Sequence, residues 1–235
     1  MSEIKFTYFN VKGLGEPVRL LLKYGGIDFV DHRIEGSEWP ELKSKTPFGQ
    51  LPIYEENGNV MYQSVSIARY VAKKVKLVGD SNWEALEIDA IVDTVNDLRA
   101  KIGLYHYEQD EAIKESRKGP LFDETIPFYI EKLENIAKDN NGHLATGKLT
   151  WADFYFTGLL DYLNSMVGKD ITEDRPSLKE VVSNVSSIPA VKAWIETLNI
   201  TRQKQSAIPV LYRLSPKFNL KFSFCYSAKA LIQND

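Results

Sequence analysis

The chain has 235 residues, of which 43% are hydrophobic and 26% charged, and its net charge is −3. This composition is typical of a folded protein with one large or two small domains, and the charge gives no electrostatic reason to expect a nucleic acid partner. No apolar run approaches the roughly 20 residues that span a bilayer, so we expect no integral membrane association. The first residues show no signal peptide, and the single cysteine, Cys225, excludes an internal disulfide or a cysteine-based metal site. A cytoplasmic protein is the simplest interpretation.

The N-terminal third predicts an α/β domain. Residues 4–9 alternate in hydrophobicity as a strand does, and Glu16-Pro17 begins a helix, because proline is tolerated in the first helical turn. A second strand is predicted over residues 29–34. A short helical turn follows, in which Trp39 and Lys43 lie four residues apart and face the same way.

The next stretch carries the clearest local signals. Asn57-Gly58 lies between two short apolar runs and predicts a hairpin with a type I′ turn, because that turn needs positive φ at both central residues. Pro52 precedes the first strand of the hairpin, where a missing N–H is tolerated. Ser64 is predicted as the N-cap of the next helix, whose first N–H groups are expected to stay available to an anion. The element order is that of a thioredoxin-like domain with a mixed four-stranded sheet.

From Trp83 onward the sequence predicts helices. The first is long, with an apolar stripe on one face and an acidic face on the other. The acidic face consists of Asp89, Asp93, Asn96 and Asp97. A second helix is predicted over about 121–138, after a break at Gly119-Pro120. Thr150 and Asp153 then predict a capping box that begins a buried helix.

These elements divide the chain into four parts. Residues 1–75 form the predicted thioredoxin-like domain, 76–82 a linker and 83–196 an all-helical domain. Residues 197–235 form a basic, apolar tail with a charge of +5, which leaves −8 for the rest of the chain. The tail could touch a membrane, cover a pocket or be an aberrant extension. We favour the last of these and expect poor order.

Many segments in this order resemble the sigma class of glutathione transferases, which includes haematopoietic prostaglandin D synthases, many insect transferases and cephalopod lens crystallins. The resemblance covers about residues 3–196. Its strongest segments are Tyr8-Phe9-Asn10, Asp31-His32-Arg33-Ile34-Glu35, Trp39-Pro40-Glu41, Pro47-Phe48-Gly49, Gln63-Ser64, Ile67-Ala68-Arg69-Tyr70 and residues 89–94 and 150–155. It implies reduced glutathione as co-substrate and a homodimer.

Tyr8 is the catalytic residue that the resemblance implies, with a hydroxyl that donates a hydrogen bond to the glutathione sulfur. A free thiol has a pKa of about 8.5 and is mostly protonated at neutral pH. Lowering that pKa by about two units needs roughly 2.7 kcal/mol of preferential thiolate stabilisation. One charge-assisted hydrogen bond supplies roughly 1.5–3 kcal/mol, so Tyr8 would provide much of it. The alternative is a strand tyrosine that only packs.

The resemblance also implies the residues that hold the two ends of glutathione. Trp39 and Lys43 would bind the glycine carboxylate, because indole and ammonium groups are donors without acceptors. Gln63 and Ser64 would hold the γ-glutamyl carboxylate. Asp97 would reach the γ-glutamyl amine across a two-fold dimer; the alternative for this acid is a solvated helix face.

The middle of the tripeptide is expected along residues 49–52. Gln50 and Leu51 match the segment that pairs through its backbone with the cysteinyl part, and Pro52 matches the family's cis-proline. The complete predicted glutathione-binding set is Tyr8, Trp39, Lys43, Gly49, Gln50, Leu51, Pro52, Gln63, Ser64 and Asp97.

Position in the family places an electrophile pocket between the two domains. Its predicted lining is Phe9, Leu14, Leu104, Tyr105 and Tyr155, with Tyr107 as an alternative neighbour. An apolar wall of this kind suits small hydrophobic electrophiles, such as unsaturated aldehydes or lipid hydroperoxides.

Two departures from the vertebrate prostaglandin D synthases matter. Leu14 stands where those enzymes carry an arginine near the sulfur, which weakens the case for isomerase activity. Asn96 replaces one of three aspartates that bind a divalent ion at their dimer interface; Asp93 and Asp97 are the other two positions. An amide lowers the affinity for a hard cation, so we predict no metal site.

The sequence therefore predicts a glutathione transferase that conjugates reduced glutathione to hydrophobic electrophiles, with peroxidase or prostaglandin isomerase side activity. The alternative is a structural or ligand-binding protein on the same fold, like the lens crystallins. A third interpretation is an interaction module without glutathione affinity.

Overall fold

The structure is a computed structural model that describes residues 3–206, with side chains described for residues 3–198. The first part contains a four-stranded sheet and three helices. Its strands are β1 (Ile4–Phe9), β2 (Val30–Ile34), β3 (Ile53–Glu56) and β4 (Asn59–Tyr62). Its helices are α1 (Glu16–Tyr24), α2 (Trp39–Lys43) and α3 (Ser64–Lys74), with a 3₁₀ turn at Gly13–Gly15 before α1. The predicted element order is confirmed.

The sheet has the strand order β2-β1-β3-β4, in which β1 and β2 are parallel and the other two pairs antiparallel. Tyr8 of β1 lies opposite Arg33 of β2. The predicted hairpin is present, with φ of 53° at Asn57 and 78° at Gly58. These angles are the ones that a type I′ turn requires. The mixed sheet therefore brings the end of β1 beside the start of the hairpin.

The second part is helical, as predicted. Its helices are α4 (Asn82–His106), α5 (Glu111–Gly119), α6 (Ile126–Asp139), α7 (Trp151–Val167), α8 (Pro176–Ser186) and α9 (Pro189–Ser206). The capping box at the start of α7 is confirmed. The buried Asp153 carboxylate accepts hydrogen bonds from the N–H of Thr150 at 2.8 Å and of Leu144 at 2.7 Å. Asp153 therefore has a structural role.

Helix α5 is an element that the sequence did not predict, and the predicted break at Gly119-Pro120 is wrong. The chain stays helical there, because a π-helical segment at Pro120–Thr125 joins α5 to α6. Within the described residues α5 has no buried side chain, so no apolar stripe announced it. The available signal was Asp110, whose carboxylate accepts hydrogen bonds from the N–H of Ala112 and Ile113.

The last described helix continues past residue 196, where we expected the helical domain to end. Helix α9 runs to Ser206, so the first residues of the predicted tail are helical. The rest of that tail, with Cys225, lies outside the described residues.

The two parts pack through α1 and α7. Gly158 of α7 allows the close approach, since a Cβ at that position would lie 2.7 Å from the backbone nitrogen of Pro17. A backbone hydrogen bond from Trp151 to the carbonyl of Leu77 also joins α7 to the linker, at 3.0 Å. Over residues 3–206, no helix has the length and apolar character needed to cross a bilayer.

Candidate active site

Tyr8 lies where β1 meets the turn before α1. Its side chain is 6% exposed. The hydroxyl oxygen accepts a hydrogen bond from the N–H of Leu14 at 3.2 Å. That bond uses an oxygen lone pair and leaves the hydroxyl hydrogen for another acceptor.

Two glycines shape the turn around Tyr8. Gly13 has a φ of 44°, and a Cβ at that position would lie 2.9 Å from the Tyr8 hydroxyl. A Cβ on Gly15 would lie 2.7 Å from Cδ1 of the same ring. Such contacts are shorter than van der Waals distance, so the turn fits against Tyr8 because both residues lack a side chain.

The environment keeps the Tyr8 hydroxyl protonated. Burial raises the pKa of Tyr8 to about 12, although the Leu14 hydrogen bond and the charge of Arg19 act in the opposite direction. A phenol with this pKa is neutral at physiological pH and remains a hydrogen-bond donor. The residue can therefore donate a hydrogen bond to an anion beside it.

Gln63 and Ser64 lie where β4 leads into α3. Gln63 is the N-cap, so the prediction of Ser64 as the N-cap is wrong by one residue: the carbonyl of Gln63 accepts the first helical bond, from Ile67 at 2.9 Å. Gln63 has a φ of 75°, a strained angle for a non-glycine residue and one that is often found at ligand sites. In the described structure no side chain caps this helix, so its first N–H groups are available to an anion.

Residues 39–52 precede the hairpin that leads to this helix, and they form a second anion-binding candidate. The peptide bond between Leu51 and Pro52 is cis, as the resemblance implied. Lys43 and Gly49 share an open cavity of about 450 Å³. Its lining consists of Pro40, Lys43, Ser44, Thr46, Pro47, Phe48 and Gly49. The half-buried Trp39 begins the same short helix that Lys43 ends, and Gln50 is exposed.

The apolar residues predicted for the second pocket are partly brought together. The Phe9 ring lies 5.7 Å from the ring of Tyr8 and 5.5 Å from that of Trp39. Leu14 is half-buried and reaches the Tyr8 oxygen through its N–H. These residues form one wall beside the catalytic candidate.

The predicted residues from the helical part lie in different environments. Leu104 is 52% exposed, and Tyr105 packs edge-on against Phe122 at 5.2 Å. Tyr155 is 1% exposed, and its hydroxyl donates to the Asn96 amide oxygen at 3.3 Å. Tyr155 therefore belongs to the hydrophobic core.

The sequence prediction did not include Tyr162 and Arg99, and it gave Tyr107 only as an alternative. The hydroxyls of Tyr107 and Tyr162 lie 2.7 Å apart, and both Tyr8 and Arg99 act electrostatically on Tyr162. Burial and the Tyr107 hydrogen bond raise the pKa of Tyr162, so it is neutral. A signal for Tyr162 was its position two helical turns after Tyr155 on α7.

Arg99 is a nearly buried cation within the apolar stripe of α4. A charged residue in such a stripe is unusual, and it could have marked Arg99 as a candidate from the sequence alone. Its side chain donates to the Asn96 amide oxygen from Nε at 3.2 Å and from Nη2 at 3.1 Å. Across residues 3–198, no carboxylate forms an ion pair with it, and the residue is 9% exposed. A buried cation without a counter-charge favours a partly negative ligand atom nearby.

Asp97 and Asp93 are exposed on the outer face of α4. Asn96, which lies between them, turns its amide oxygen inward to Arg99 and Tyr155. Among the residues that the structure describes, no group of three or more His, Cys, Asp or Glu side chains is arranged to hold a metal ion.

Comparison with known proteins gives the family. The model of the glutathione S-transferase N-terminal domain matches residues 4–73, and that of the C-terminal domain matches residues 96–197. Glutathione S-transferase S1 of Drosophila melanogaster is 50% identical over 194 residues, or 83% of this chain and 78% of that protein. A glutathione S-transferase of Anopheles gambiae is 51% identical over 201 residues, or 86% of this chain and 99% of that protein.

The fold agrees with these matches. The solved structure of prostaglandin synthase D of Nilaparvata lugens has a TM-score of 0.79 and 44% identity, over 83% of this chain and 97% of that one. The domain matches together cover more than half of the chain, and the relatives are matched over most of their length. The chain therefore belongs to the glutathione S-transferase family, among its sigma-like members.

Proposed function

We propose that the protein conjugates reduced glutathione to hydrophobic electrophiles and that Tyr8 stabilises the glutathione thiolate. The observation that carries this proposal is the neutral, buried Tyr8 hydroxyl, whose oxygen accepts a hydrogen bond from Leu14. A hydrogen bond accepted by the oxygen polarises the O–H bond and makes it a better donor to sulfur. The thiolate then attacks the electrophile, and binding both reactants together removes most of the entropic cost of their encounter.

The binding of glutathione follows from the two anion-binding candidates. The γ-glutamyl carboxylate lies at the start of α3, held by Gln63, Ser64 and the exposed helical N–H groups. The glycine carboxylate lies near Lys43 and Trp39, beside the cavity that Lys43 and Gly49 share. Gln50-Leu51-Pro52 then pairs with the middle of the peptide through its backbone.

The electrophile occupies the space beside Tyr8. Phe9, Leu14 and Tyr105 supply apolar contacts there, with Leu104 at its edge. Tyr107, Tyr162 and Arg99 add polar groups on the same side, which suits an electrophile that carries a carbonyl oxygen, such as an unsaturated aldehyde. A prostaglandin or hydroperoxide substrate is a side activity to be tested with the same variants.

The working form is a cytoplasmic homodimer. Large apolar side chains near β4 support this proposal, because Phe48 is 67% exposed and Met61 55% exposed in the single chain. Asp97, on the exposed face of α4, would then reach the glutathione bound to the other subunit. Light scattering at micromolar concentration measures the oligomeric state. A monomer that retains full activity would contradict the proposed homodimer.

The central experiment is an ultraviolet titration of the thiolate of bound glutathione. Wild-type protein should show a thiol pKa about two units below that of free glutathione, and Tyr8→Phe should lose most of this difference. The same substitution should reduce kcat/KM roughly 10- to 100-fold, in line with the loss of a charge-assisted hydrogen bond. Tyr129→Phe, on α6, is the matched control. Wild-type protein that binds glutathione only as the thiol would support the crystallin-like alternative.

A further inference from the structure

A buried arginine lies beneath the ring of Tyr8. Arg19 of α1 is 0% exposed, and its guanidinium carbon is 5.8 Å from the ring centroid of Tyr8 and 5.6 Å from that of Phe6. Gly15 allows this arrangement, because a Cβ there would lie 3.2 Å from Nη1 of Arg19 as well as against the Tyr8 ring. A cation over an aromatic face is attracted by the negative potential of the ring.

Three acceptors hold the guanidinium in this position. Its Nε donates to Asp31 at 2.8 Å, and its Nη1 donates to the Val11 carbonyl at 2.9 Å and to Glu16 at 3.2 Å. Its Nη2 is buried and has no hydrogen-bond partner within the described part of the chain. Val11 belongs to the segment that leads to Leu14, so Arg19 supports both the Tyr8 ring and the turn that supplies its backbone donor.

Glu16 connects this arginine to the last helix. Its side chain is almost fully buried, and one carboxylate oxygen accepts from Arg19 while the other accepts from the indole N–H of Trp194 at 2.9 Å. Trp194 lies on α9, in the helical part of the chain. A continuous series of contacts therefore runs from Trp194 through Glu16 and Arg19 to Tyr8. We call it the Trp194–Tyr8 series.

Each carboxylate around the series is paired with a neighbouring cation. The charged and titratable groups near Arg19 and Tyr8 are Glu16, Asp31, Arg33, Lys23, Lys12, Arg99, Asp161, Tyr107 and Tyr162. Asp31 is shared with Arg33, and Asp161 of α7 pairs with Lys12. The positive charge that Arg19 presents to Tyr8 therefore depends on how far Asp31 and Glu16 neutralise it, and Glu16 is the acid of this pair that Trp194 contacts.

We propose that Arg19 is a positioning residue that strengthens the Tyr8 hydroxyl as a donor, and that Glu16 and Trp194 set the size of this effect. The inference rests on the proposed function, since it concerns the same thiolate. A positive charge over the ring draws electron density from the phenol oxygen, which makes the O–H a stronger donor. The indole N–H shares the negative charge of Glu16 and leaves more of the Arg19 charge uncompensated. Trp194 of α9 thereby influences the reaction through Glu16 and Arg19.

Two substitutions change this balance in opposite directions. In Trp194→Phe, Glu16 loses a donor and neutralises Arg19 more fully, so the thiol pKa of bound glutathione should rise. In Glu16→Gln, the carboxylate charge is removed, so that pKa should fall. For Trp194→Phe, kcat/KM should be reduced roughly three- to tenfold near about pH 6 and approach the wild-type value at high pH, where the thiolate forms in both proteins.

Trp151→Phe is the matched control. Trp151 is also a buried tryptophan, but its indole nitrogen has no hydrogen-bond partner within residues 3–198. This variant should lower Tm and leave the thiol pKa unchanged. If Glu16→Gln does not fold, the pH profile of Trp194→Phe decides alone.

The outcomes separate the inference from the proposed function. A kcat/KM of Trp194→Phe that is reduced equally at every pH, or a shift of the thiol pKa in the same direction in both variants, would show a merely structural role and overturn the inference. Wild-type protein with no thiolate signal from bound glutathione would refute the proposed function instead.

Discussion

The two sides of the proposed active site are assembled in different ways. The proposed glutathione side comes mainly from residues 39–64, where α2, the cis-proline, the hairpin and the start of α3 follow one another in the chain. The proposed electrophile side combines the turn after β1 with side chains from α4 and α7. A site built from one continuous segment depends on local turn and capping chemistry. A site built from distant helices depends on how those helices are rotated against each other.

Gly13→Ala is expected to have the largest effect, because Gly13 lies where the two sides meet. The added Cβ would approach the Tyr8 hydroxyl to 2.9 Å at a positive φ. Displacing that hydroxyl should cost about 2–3 kcal/mol of transition-state stabilisation, or roughly 30- to 150-fold in kcat/KM. Gly26→Ala, also at positive φ but in open space, is the control. Near-wild-type activity of Gly13→Ala would show that the turn around Tyr8 can adapt.

Glu56→Gln tests the polar support beneath the glutathione side. Burial by itself would raise the pKa of Glu56, but hydrogen bonds from Lys74, Tyr70 and Tyr54 hold it below its ordinary value. A lowered carboxyl pKa contributes stability above the pKa of the unfolded chain, and this stability is lost as pH falls through the folded value.

We therefore expect Glu56→Gln to lower the free energy of unfolding by about 2 kcal/mol at neutral pH. The difference from wild type should shrink below about pH 4. Urea denaturation at several pH values measures it. A difference that is independent of pH would mean that packing, and not charge, holds β3 to α3.

Ser64→Ala is expected to act on glutathione alone. Losing one hydrogen bond to the γ-glutamyl carboxylate should cost about 1.4 kcal/mol and raise KM for glutathione roughly tenfold. KM for the electrophile should stay unchanged. Ser66→Ala, at an exposed position on the same helix, is the control. Equal changes in both KM values would contradict the separation of the two sides.

Tyr162→Phe should have the smallest effect on catalysis. It should change the kinetics of the electrophile and not those of glutathione, which is the reverse of Ser64→Ala. The loss of its hydrogen bond to Tyr107 loosens the polar part of the electrophile side. We expect kcat/KM for an unsaturated aldehyde to fall roughly fivefold, or about 1 kcal/mol, while KM for glutathione is unchanged. Steady-state kinetics with each substrate varied in turn distinguishes this result from a general loss of folding.

The sequence predicted several turns and caps of the fold, because glycines, prolines and capping residues have local preferences. Asn57-Gly58 adopts the expected turn, and the capping carboxylate of Asp153 is where its spacing placed it. The N-cap of α3 was misplaced by one residue, since a serine is a better cap than glutamine by propensity. Helix α5 was missed because its stability comes from a cap and not from a buried stripe.

The sequence by itself determined the family, the two-domain order, the cis-proline segment and Tyr8 as the catalytic candidate. Each segment that carries the resemblance, and each turn and cap, consists of residues that are close in the chain. Only the tertiary structure decided that Tyr155 is buried, that the hydroxyl of Tyr107 meets that of Tyr162, and that Arg19 is joined to α9 through Glu16. The physical reason is that helix packing sets which face of α4, α7 and α9 turns inward, and a contact between residues 16 and 194 leaves no local pattern.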